Sequence, residues 1–476
     1  MISLTMILVR LPPDMNKLTL TKEQFARYNT SGPRYTSYPT AIEFHDKFTQ
    51  TDYEVATNRS NTTNSKPLSL YYHIPFCDTI CFYCACNKIA TKDRSKAETY
   101  LGYLYKEIEM QAALYDKTRV VDQLHLGGGT PTFINIGQMQ NLLEETGKHF
   151  NLRDDDKGEY SIEIDPRECS PEMVTGLRDI GFNRLSLGVQ DFDETVQKAV
   201  NRIQPEELTW RTIDAARKNN FHSVSVDLIY GLPMQSIDSF ANTLDKMIEM
   251  SPDRLSLFNY AHLPHVFKPQ RRINEIDLPA GEDKLIIFNQ SVEQLTEAGY
   301  VYIGMDHFAK ADDPMNAAQQ NGELHRNFQG YSTHAQCDMV AMGVSSISEV
   351  NNVYSQNVKT LDDYYAAIDE ERLPIEKGIT LTDDDLLRKH IIEQLMCNFA
   401  LDYSAIEKQF AIDFKDYFKA ELAKLENMQT DGLLTLDAKG LSINLLGRLL
   451  IRNICMIFDA YLQKAQQQGQ RFSKVI

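Results

Sequence analysis

The stretch from Tyr71 to Thr91 constrains this chain most, because it holds four of the eight cysteines. Cys77, Cys81, Cys84 and Cys86 lie within ten residues, and this spacing suits one inorganic centre better than a disulfide. The remaining cysteines are scattered along the chain. Such usage is typical of a reducing cytoplasm rather than of a secreted disulfide framework, so a cytoplasmic protein is expected.

Two kinds of metal centre fit the cysteine spacing to different degrees. A 4Fe-4S cluster is usually held by four thiolates, and ligation by Cys77, Cys81 and Cys84 alone would leave one iron open for a small molecule. Cys86 is then a fourth ligand, a separate reactive thiol or a packed neighbour. Structural zinc sites usually have two ligand pairs separated by a longer loop, and no second pair lies nearby. The spacing favours a cluster over zinc.

Apolar strands alternate with amphipathic helices from residue 68 onward, which predicts at least six βαβ units and a parallel sheet. Polar, charged and Gly-rich segments recur where the strands end. In a β/α barrel that end forms the active-site rim, so the cysteine loop is expected on the rim. The predicted strands are 68–74, 120–126, 160–164, 183–189, 222–229, 254–260 and 301–304, and the predicted helices are 97–114, 137–149, 171–179, 192–200, 205–219, 237–250 and 282–298.

The two ends of the chain lack the strand–helix alternation of this repeating region. We predict an N-terminal arm and linker over 1–66, a barrel over 67–375 and a smaller, mainly helical, winged-helix-like domain over 376–476. The segment 31–39 is rich in turn residues and is expected to be ordered but not helical, whereas 52–66 reads as a polar linker. In the last domain we expect helices at 383–398, 403–409, 413–429 and 447–464, with a hairpin around 437–440.

The charge balance excludes some function classes. The chain has 49 basic and 66 acidic residues, a formal charge of -17, which argues against general nucleic-acid binding. An anionic substrate therefore needs a local basic pocket. No run of about 18 apolar residues predicts a membrane helix. Met1 to Met15 is a poor signal peptide and reads as a frayed tail or the product of an upstream start codon.

Several residues at predicted strand ends are candidates for ligand contacts. Gly127 to Pro131 reads G-G-G-T-P after a strand, and glycines allow a ligand to approach the backbone closely. Glu163, Asp165 and Asp227 also lie at or near strand ends, where inward carboxylates would face a ligand, although each could be a surface carboxylate. His73 and His125 lie inside strands, where a hydrogen-bonded core histidine is the expected role.

Together these motifs resemble the radical S-adenosylmethionine (SAM) superfamily, and within it the oxygen-independent coproporphyrinogen III oxidases. The resemblance covers the chain from about residue 20 to its end. The residues that carry it are 31–39 (SGPRYTSYP), 71–77 (YYHIPFC) through 86–89 (CNKI), 126–131 (LGGGTP), 162–167 (IEIDPR), 184–191 (RLSLGVQD), 227–233 (DLIYGLP), 258–264 (FNYAHLP), 303–309 (IGMDHFA), 324–331 (LHRNFQGY) and 448–456 (RLLIRNICM).

The resemblance implies an α/β fold, a partial (β/α)6 TIM-like barrel with an N-terminal arm and a helical C-terminal domain. It implies an oxidoreductase that converts two propionates of coproporphyrinogen III to the vinyls of protoporphyrinogen IX in haem biosynthesis. In this family a reduced 4Fe-4S cluster cleaves SAM, and the resulting 5'-deoxyadenosyl radical takes a hydrogen from the propionate. An electron donor such as flavodoxin or ferredoxin and a monomeric state are also expected, with neither nucleic acid nor membrane as a partner.

Site residues follow from the same resemblance, motif by motif. The cluster ligands are expected to be Cys77, Cys81 and Cys84, and no catalytic acid or base is assigned. Family members bind two SAM molecules. The first is expected to contact Tyr71, Gly128, Glu163 and Ile347, and the second Tyr83, Gly129, Thr130, Gln190, Arg202, Asp227 and Ala261. Tyr83 departs from the family, where Phe is frequent, so its hydroxyl needs a partner.

Two further expectations concern the substrate and the competing family. A substrate with four carboxylates needs cations, and Arg34, Arg271, Arg272 and Arg326 are candidates, with ordinary surface arginines as the alternative. The related radical SAM haem chaperones bind and traffic haem, and they have Phe where this chain has Cys86. Cys86, the 31–39 arm and the full C-terminal domain favour the oxidase. A structural metal protein would leave the Gly-rich loop and rim carboxylates unexplained.

Overall fold

The computed structural model of the chain describes residues 20–63, 66–334 and 336–462, together with 464, 472, 474 and 475. The segment from Met1 to Met15, for which a frayed tail was expected, lies outside these residues. In the part of the chain that is described, no helix is long and apolar enough to cross a bilayer.

The strands and helices follow the predicted alternation over most of the barrel. The strands are β1 (Leu68–Ile74), β2 (Phe76–Cys77), β3 (Ile89–Ala90), β4 (Val120–Gly128), β5 (Asn151–Leu152), β6 (Glu159–Ile164), β7 (Arg184–Gln190), β8 (Ser223–Tyr230), β9 (Arg254–Asn259), β10 (Tyr300–Gly304), β11 (His307–Lys310), β12 (His325–Asn327), β13 (Gly330–Ser332), β14 (Asp338–Met342), β15 (Ile347–Val350), β16 (Val353–Asn357), β17 (Ile375–Thr380), β18 (Ala400–Asp402), β19 (Leu434–Leu436) and β20 (Gly440–Ile443). The helices are α1 (Lys22–Tyr28), α2 (Gln50–Thr63), α3 (Ser95–Ala112), α4 (Ile136–His149), α5 (Pro171–Asp179), α6 (Glu194–Ala199), α7 (Glu206–Lys218), α8 (Ile237–Met250), α9 (Gly281–Glu297), α10 (Pro314–Gln320), α11 (Leu361–Asp369), α12 (Asp383–Asn398), α13 (Tyr403–Phe410), α14 (Phe414–Tyr417), α15 (Lys419–Thr430), α16 (Leu445–Leu449) and α17 (Ile451–Cys455).

One large sheet organises the barrel. Its order is β10-β11-β9-β8-β7-β6-β4-β1-β14-β15-β16-β17, and β5 pairs with β4. Strands β1, β4, β6, β7, β8 and β9 run parallel, as the six predicted units require. Beyond β9 the pairing becomes antiparallel through β11 and β10, and on the other side β14 leads into antiparallel β15, β16 and β17. The sheet curves without closing on itself, which confirms a partial barrel.

Alternation along each strand divides the sheet into an apolar outer face and a polar inner face. In β6, Tyr160, Ile162 and Ile164 are buried against the helical layer, while Ser161 and Glu163 point to the inside. Successive strand side chains point to opposite faces, so this pattern repeats around the barrel. The inward residues that line the interior are Tyr71, His73, Gln123, His125, Glu159, Arg184, Ser186, Gly188, Gln190, Ser223, Ser225, Asp227, Arg254, Ser256 and Phe258. The interior is therefore shaped for a polar ligand rather than filled as a core.

The expected polar linker at 52–66 is wrong, because most of it belongs to helix α2. Tyr53, Ala56, Thr57 and Ser60 are buried, at spacings of three and four residues that place them on one helical face. Two of these four residues are polar, and Ser60 donates a hydrogen bond to buried Asp338. The face is buried through hydrogen bonds as well as apolar contact, so hydropathy alone does not reveal it.

The C-terminal region has the predicted helices and hairpin, with two differences. Helix α12 and hairpin β19–β20 are as expected, and β18 adds a third strand beside β20. The helix predicted at 413–429 is interrupted at buried Phe418. The single helix predicted at 447–464 is wrong: α16 and α17 are separated at buried Leu450, α17 ends at Cys455, and residues 456–461 form turns and bends. Both residues leave the helical backbone region (φ -102° and -108°), so each break turns an apolar side chain inward.

A buried carboxylate fastens helix α3 to the sheet beside the barrel interior. Glu107 accepts hydrogen bonds from Gly343 N (2.7 Å), Asn357 Nδ2 (2.8 Å) and the Tyr364 hydroxyl (2.6 Å). Burial raises the pKa of Glu107 to about 7 against these three donors, which stabilise the ionised form. The turn after Gly343 leads directly to Ile347, so this network orders one wall of the interior.

We predict that Glu107→Gln destabilises the protein by about 1–3 kcal/mol at pH 8, because an amide NH2 would face a hydrogen-bond donor inside the core. Scanning calorimetry should record a melting temperature several degrees lower. Glu109→Gln, on the exposed side of the same helix, serves as the control and should melt like the unaltered protein. Equal melting temperatures for the two variants would contradict the assigned role of Glu107.

Candidate active site

The polar interior of the barrel opens into a cavity of about 670 Å³ beside the cysteine loop. Its walls come from the inner face of the parallel strands, the loops after β1, β4, β6 and β7, and the β12–β13 hairpin. Cys77, Cys81, Cys84 and Cys86 all line it. The strand ends and the cysteine loop therefore meet at one place, as expected for a barrel rim.

Backbone hydrogen bonds tie the cysteine loop to the end of β4. Gly129 N donates to Ile74 O and Thr130 N to Phe76 O, both at 2.8 Å. A Cβ atom on Gly129 would lie 2.7 Å from Phe76 O and 3.0 Å from the Cys77 sulfur. Only glycine permits this approach, so the Gly-rich segment is what brings the strand end against the first cysteine.

The cysteine thiols differ in their polar neighbours and in the direction in which their pKa is shifted. Thr130 Oγ1 lies 3.5 Å from Cys77 Sγ, and Arg167 Nη2 and Arg202 Nη1 each lie 3.6 Å from Cys81 Sγ. Burial raises the pKa of Cys77 to about 11. A hydrogen bond from Cys86, helped by the charge of Lys88, lowers the pKa of Cys84 to about 6. The loop thus contains one thiol with a lowered pKa, Cys84, and another, Cys81, in contact with two arginines.

The donor set fits an iron–sulfur cluster better than a single metal ion. Among the described residues, no three His, Cys, Asp or Glu side chains are grouped so that they could hold a metal ion. A cubane needs its thiolates further apart, because each binds a different iron. All eight cysteines are free thiols, and the four loop cysteines line the cavity, with cations beside Cys81 and Cys84. These observations disfavour the zinc alternative and agree with a cluster.

A first group of rim residues gathers around Glu163. Gly128 N donates to Glu163 Oε2 at 3.2 Å, and His125 Nε2 lies 3.4 Å from Oε1. Tyr71 stacks on His125 with ring centroids 5.8 Å apart. Enclosure opposes ionisation of Glu163, but the hydrogen bond and charge of His125 prevail and lower its pKa. The group presents a carboxylate beside an aromatic ring.

A second group gathers around Arg202, which is almost fully buried. Its Nη1 lies 2.9 Å from Asp165 Oδ2, and Arg167 Nη2 lies 2.7 Å from the same oxygen. Burial would raise the pKa of Asp165, but the charges of Arg202 and Arg167 outweigh it and lower that pKa. Gln190 follows at the end of β7 with φ of 74°, a conformation that non-glycine residues rarely adopt.

Asp227 lies between these groups on β8. Burial, and then the nearby Glu163 carboxylate, raise the pKa of Asp227 to about 7, while hydrogen bonds from Ser256 and Ser186 oppose the shift. Two carboxyl groups in one enclosed space resist simultaneous ionisation. A cationic ligand would relieve that repulsion, and SAM carries a sulfonium and an ammonium group.

The structure brings most of the expected site residues into this cavity. Those that line it are Cys77, Cys81, Cys84, Tyr71, Tyr83, Gly128, Gly129, Thr130, Glu163, Gln190, Arg202, Asp227 and Ile347. Of the candidate cations, Arg34 and Arg326 line the cavity. Among the described residues, Ala261, Arg271 and Arg272 do not line it. His73 and His125 are hydrogen-bonded, as expected, but they line the cavity rather than the core.

Sequence reasoning missed two cations beside the thiols. Arg167 belongs to the 162–167 motif and contacts Cys81, a role that the motif does not indicate. Lys88 donates to Cys84 O at 3.2 Å. In the sequence, both cations stand within or just after motifs that contain acidic or thiol groups. That position does not show which way either side chain points.

Comparison with known proteins supports the resemblance. Residues 71–247 match the Radical SAM superfamily model, and residues 381–450 match the HemN C-terminal domain model. The oxygen-independent coproporphyrinogen III oxidase of Pseudomonas aeruginosa is 52% identical over 450 residues, covering 94% of this chain and 97% of the relative. The protein of the same name from Escherichia coli is 49% identical over 451 residues, covering 94% and 97%.

A solved structure extends this agreement to the fold. The structure described as coproporphyrinogen III oxidase (HemN) from Escherichia coli, a radical SAM enzyme, superimposes with a TM-score of 0.87. It is 47% identical in sequence, and the match covers 92% of this chain and 98% of that one. The identity is this high over nearly the whole length, and the cysteine loop and the barrel rim share one cavity. Both findings favour the oxidase over the haem chaperone and the structural zinc protein. The chain belongs to the oxygen-independent coproporphyrinogen III oxidase family of the radical SAM superfamily.

Proposed function

We propose that this chain catalyses the oxygen-independent oxidative decarboxylation of coproporphyrinogen III to protoporphyrinogen IX, in haem biosynthesis. Two propionate side chains become vinyls and two molecules of carbon dioxide leave. The observation that carries the proposal is the convergence of the cysteine loop, the Gly-rich strand end and six arginines on one cavity. The cavity wall carries these arginines and Lys88 beside six carboxylates, although the chain has a net charge of -17, and its cations suit a substrate with four carboxylates.

Cys77, Cys81 and Cys84 are the proposed ligands of a 4Fe-4S cluster. The cluster and SAM, when bound, supply the one-electron chemistry that removes a hydrogen atom from the substrate. Arg167 and Arg202 contact Cys81, and Lys88 is among the groups that lower the pKa of Cys84, whose thiolate ligation requires. Cys86 donates to Cys84 in this structure and is proposed to remain outside the ligand set.

Two SAM molecules are proposed to occupy the two groups of rim residues. Tyr71, Gly128, Glu163 and Ile347 would hold the first, since a carboxylate beside an aromatic ring suits an ammonium group. Tyr83, Gly129, Thr130, Gln190, Arg202, Asp227 and Ala261 would hold the second. The different polar partners of Glu163 (Gly128 and His125) and of Arg202 (Asp165 and Gly188) support this division. Ala261 is its least supported member because it is not among the lining residues.

The partners proposed for the chain follow from the reaction. A one-electron donor such as flavodoxin or ferredoxin would supply electrons, and a separate acceptor would take the electrons released with carbon dioxide. A cytoplasmic location and a monomeric state are proposed, with neither nucleic acid nor membrane as a partner. The free state of all eight cysteines and the acidic balance support these proposals.

The reaction can be tested directly. The protein is reconstituted with iron and sulfide without oxygen, reduced, and given SAM and coproporphyrinogen III. We expect protoporphyrinogen IX and 5'-deoxyadenosine to accumulate, measured by chromatography after oxidation of the porphyrinogens. Binding of haem without vinyl formation, or metal analysis with zinc and no sulfide, would refute the proposal.

A matched pair of cysteine variants tests the ligand assignment. Cys81→Ala should lose the cluster and the cleavage of SAM, because one of three ligands and its two arginine contacts are removed. Cys86→Ala should retain iron and sulfide at the level of the unaltered protein. Iron content and the ultraviolet-visible spectrum are the measurements. Loss of iron in Cys86→Ala, or its retention in Cys81→Ala, would show that the ligand set is different.

A further inference from the structure

The six arginines that line the cavity differ in how their charges are balanced. Five have an acidic partner: Arg34 with Asp306, Arg167 and Arg202 with Asp165, Arg184 with Glu159, and Arg254 with Asp313. Arg326 has none among the described residues. It stands in β12 of the β12–β13 hairpin, and its guanidinium carbon lies 4.9 Å from the ring centroid of Tyr331.

Arg326 is also deeply buried, with 6% of its surface exposed. Its Nε and Nη1 atoms are inaccessible and have no hydrogen-bond partner in the structure. An isolated buried cation costs several kcal/mol, and a cation–π contact offsets only part of that cost. A guanidinium in this setting is complementary to an anion that enters from the cavity.

The charged and titratable groups around Arg326 do not compensate its charge. His307, whose ring meets Tyr331 edge-on at 5.0 Å, has its pKa lowered to about 3 by burial and then by Arg326, Arg254 and Arg34. The neutral imidazole therefore adds no charge of its own. Its buried Nδ1 has no hydrogen-bond partner. Asp306 and Asp313 pair with Arg34 and Arg254, and no carboxylate among the described residues forms an ion pair with Arg326.

We propose that Arg326 binds a propionate carboxylate of the tetrapyrrole, and that this propionate is one that remains in the product. The inference rests on the proposed function and names a substrate-binding residue for it. A guanidinium and a carboxylate form two parallel hydrogen bonds, which would use the free Nε and one Nη atom together.

Two considerations assign Arg326 to a retained propionate. A carboxylate that leaves as neutral carbon dioxide would lose its ion pair with Arg326 on the way, so a strong pair would oppose the reaction. In addition, the residues around Arg326, namely Tyr331, His307, Arg254 and Arg34, share no member with those that contact the thiols, namely Thr130, Arg167, Arg202 and Lys88. The anchoring and reacting parts of the cavity are built from different side chains.

Porphyrin binding tests this assignment without turnover. The reconstituted protein, Arg326→Gln, Arg326→Lys and the exposed control Arg372→Gln are titrated with coproporphyrin III, mesoporphyrin IX and mesoporphyrin IX dimethyl ester, followed by porphyrin fluorescence. Mesoporphyrin IX has only the two propionates that the product retains. We expect Arg326→Gln to bind both acids about 10- to 100-fold more weakly and the ester unchanged, and Arg326→Lys to recover part of the loss.

Three outcomes would overturn the inference. Unchanged binding of both acids to Arg326→Gln would remove Arg326 from the substrate site, and unchanged binding of mesoporphyrin IX alone would assign it to a reacting propionate. A melting temperature of ligand-free Arg326→Gln several degrees below that of the unaltered protein would make its role structural, since removal of an uncompensated charge should not destabilise. If Arg326→Gln weakens porphyrin binding but the unaltered protein forms no protoporphyrinogen, the proposed function is wrong, while the assignment of Arg326 to a carboxylate-binding site stands.

Discussion

The two hydrogen bonds between the end of β4 and the cysteine loop are the interaction on which the rest of the site depends. Gly129 N and Thr130 N bind the carbonyls of Ile74 and Phe76, and so fix where the chain leaves β1. The cysteines follow immediately, and their sulfur atoms therefore face the same cavity as the inner side of the parallel strands. Without a side chain at position 129, backbone and sulfur approach within a distance that any other residue would prevent.

The charges that line the cavity differ from those of the chain as a whole, which is acidic. Arginines gather on the inner wall, and most are held by buried carboxylates that orient them. Asp165 joins Arg167 and Arg202 beside Cys81, so one carboxylate positions two cations at the thiols. Arg326 departs from this rule. The arginines with acidic partners hold the structure of the site together, whereas Arg326 is proposed to bind a ligand.

Much of this arrangement could be predicted from the sequence, because periodic apolar strands and closely spaced motifs are local signals. The six parallel strands, the cysteine loop at the rim and the hairpin near 437 are of this kind. Helix α2 could not be, since its buried face includes Thr57 and Ser60, which pack through hydrogen bonds made by the fold. The contact of Arg167 with Cys81 joins residues that are distant in sequence. Arg326 was a candidate from the sequence, but a pattern of residues does not indicate that it is the cation without an acidic partner. The domain boundaries at 66 and 375, the three cluster ligands and the contacts with two SAM molecules remain predictions.

The central claim is that three thiolates leave one iron of the cluster open for SAM. Mössbauer spectroscopy of protein reconstituted with 57Fe, recorded with and without SAM, measures this most directly. The account predicts that SAM changes the signal of one iron site of the four, and that Cys86→Ala gives the same change. A spectrum that SAM leaves unaltered, with four equivalent thiolate-bound irons, would contradict it.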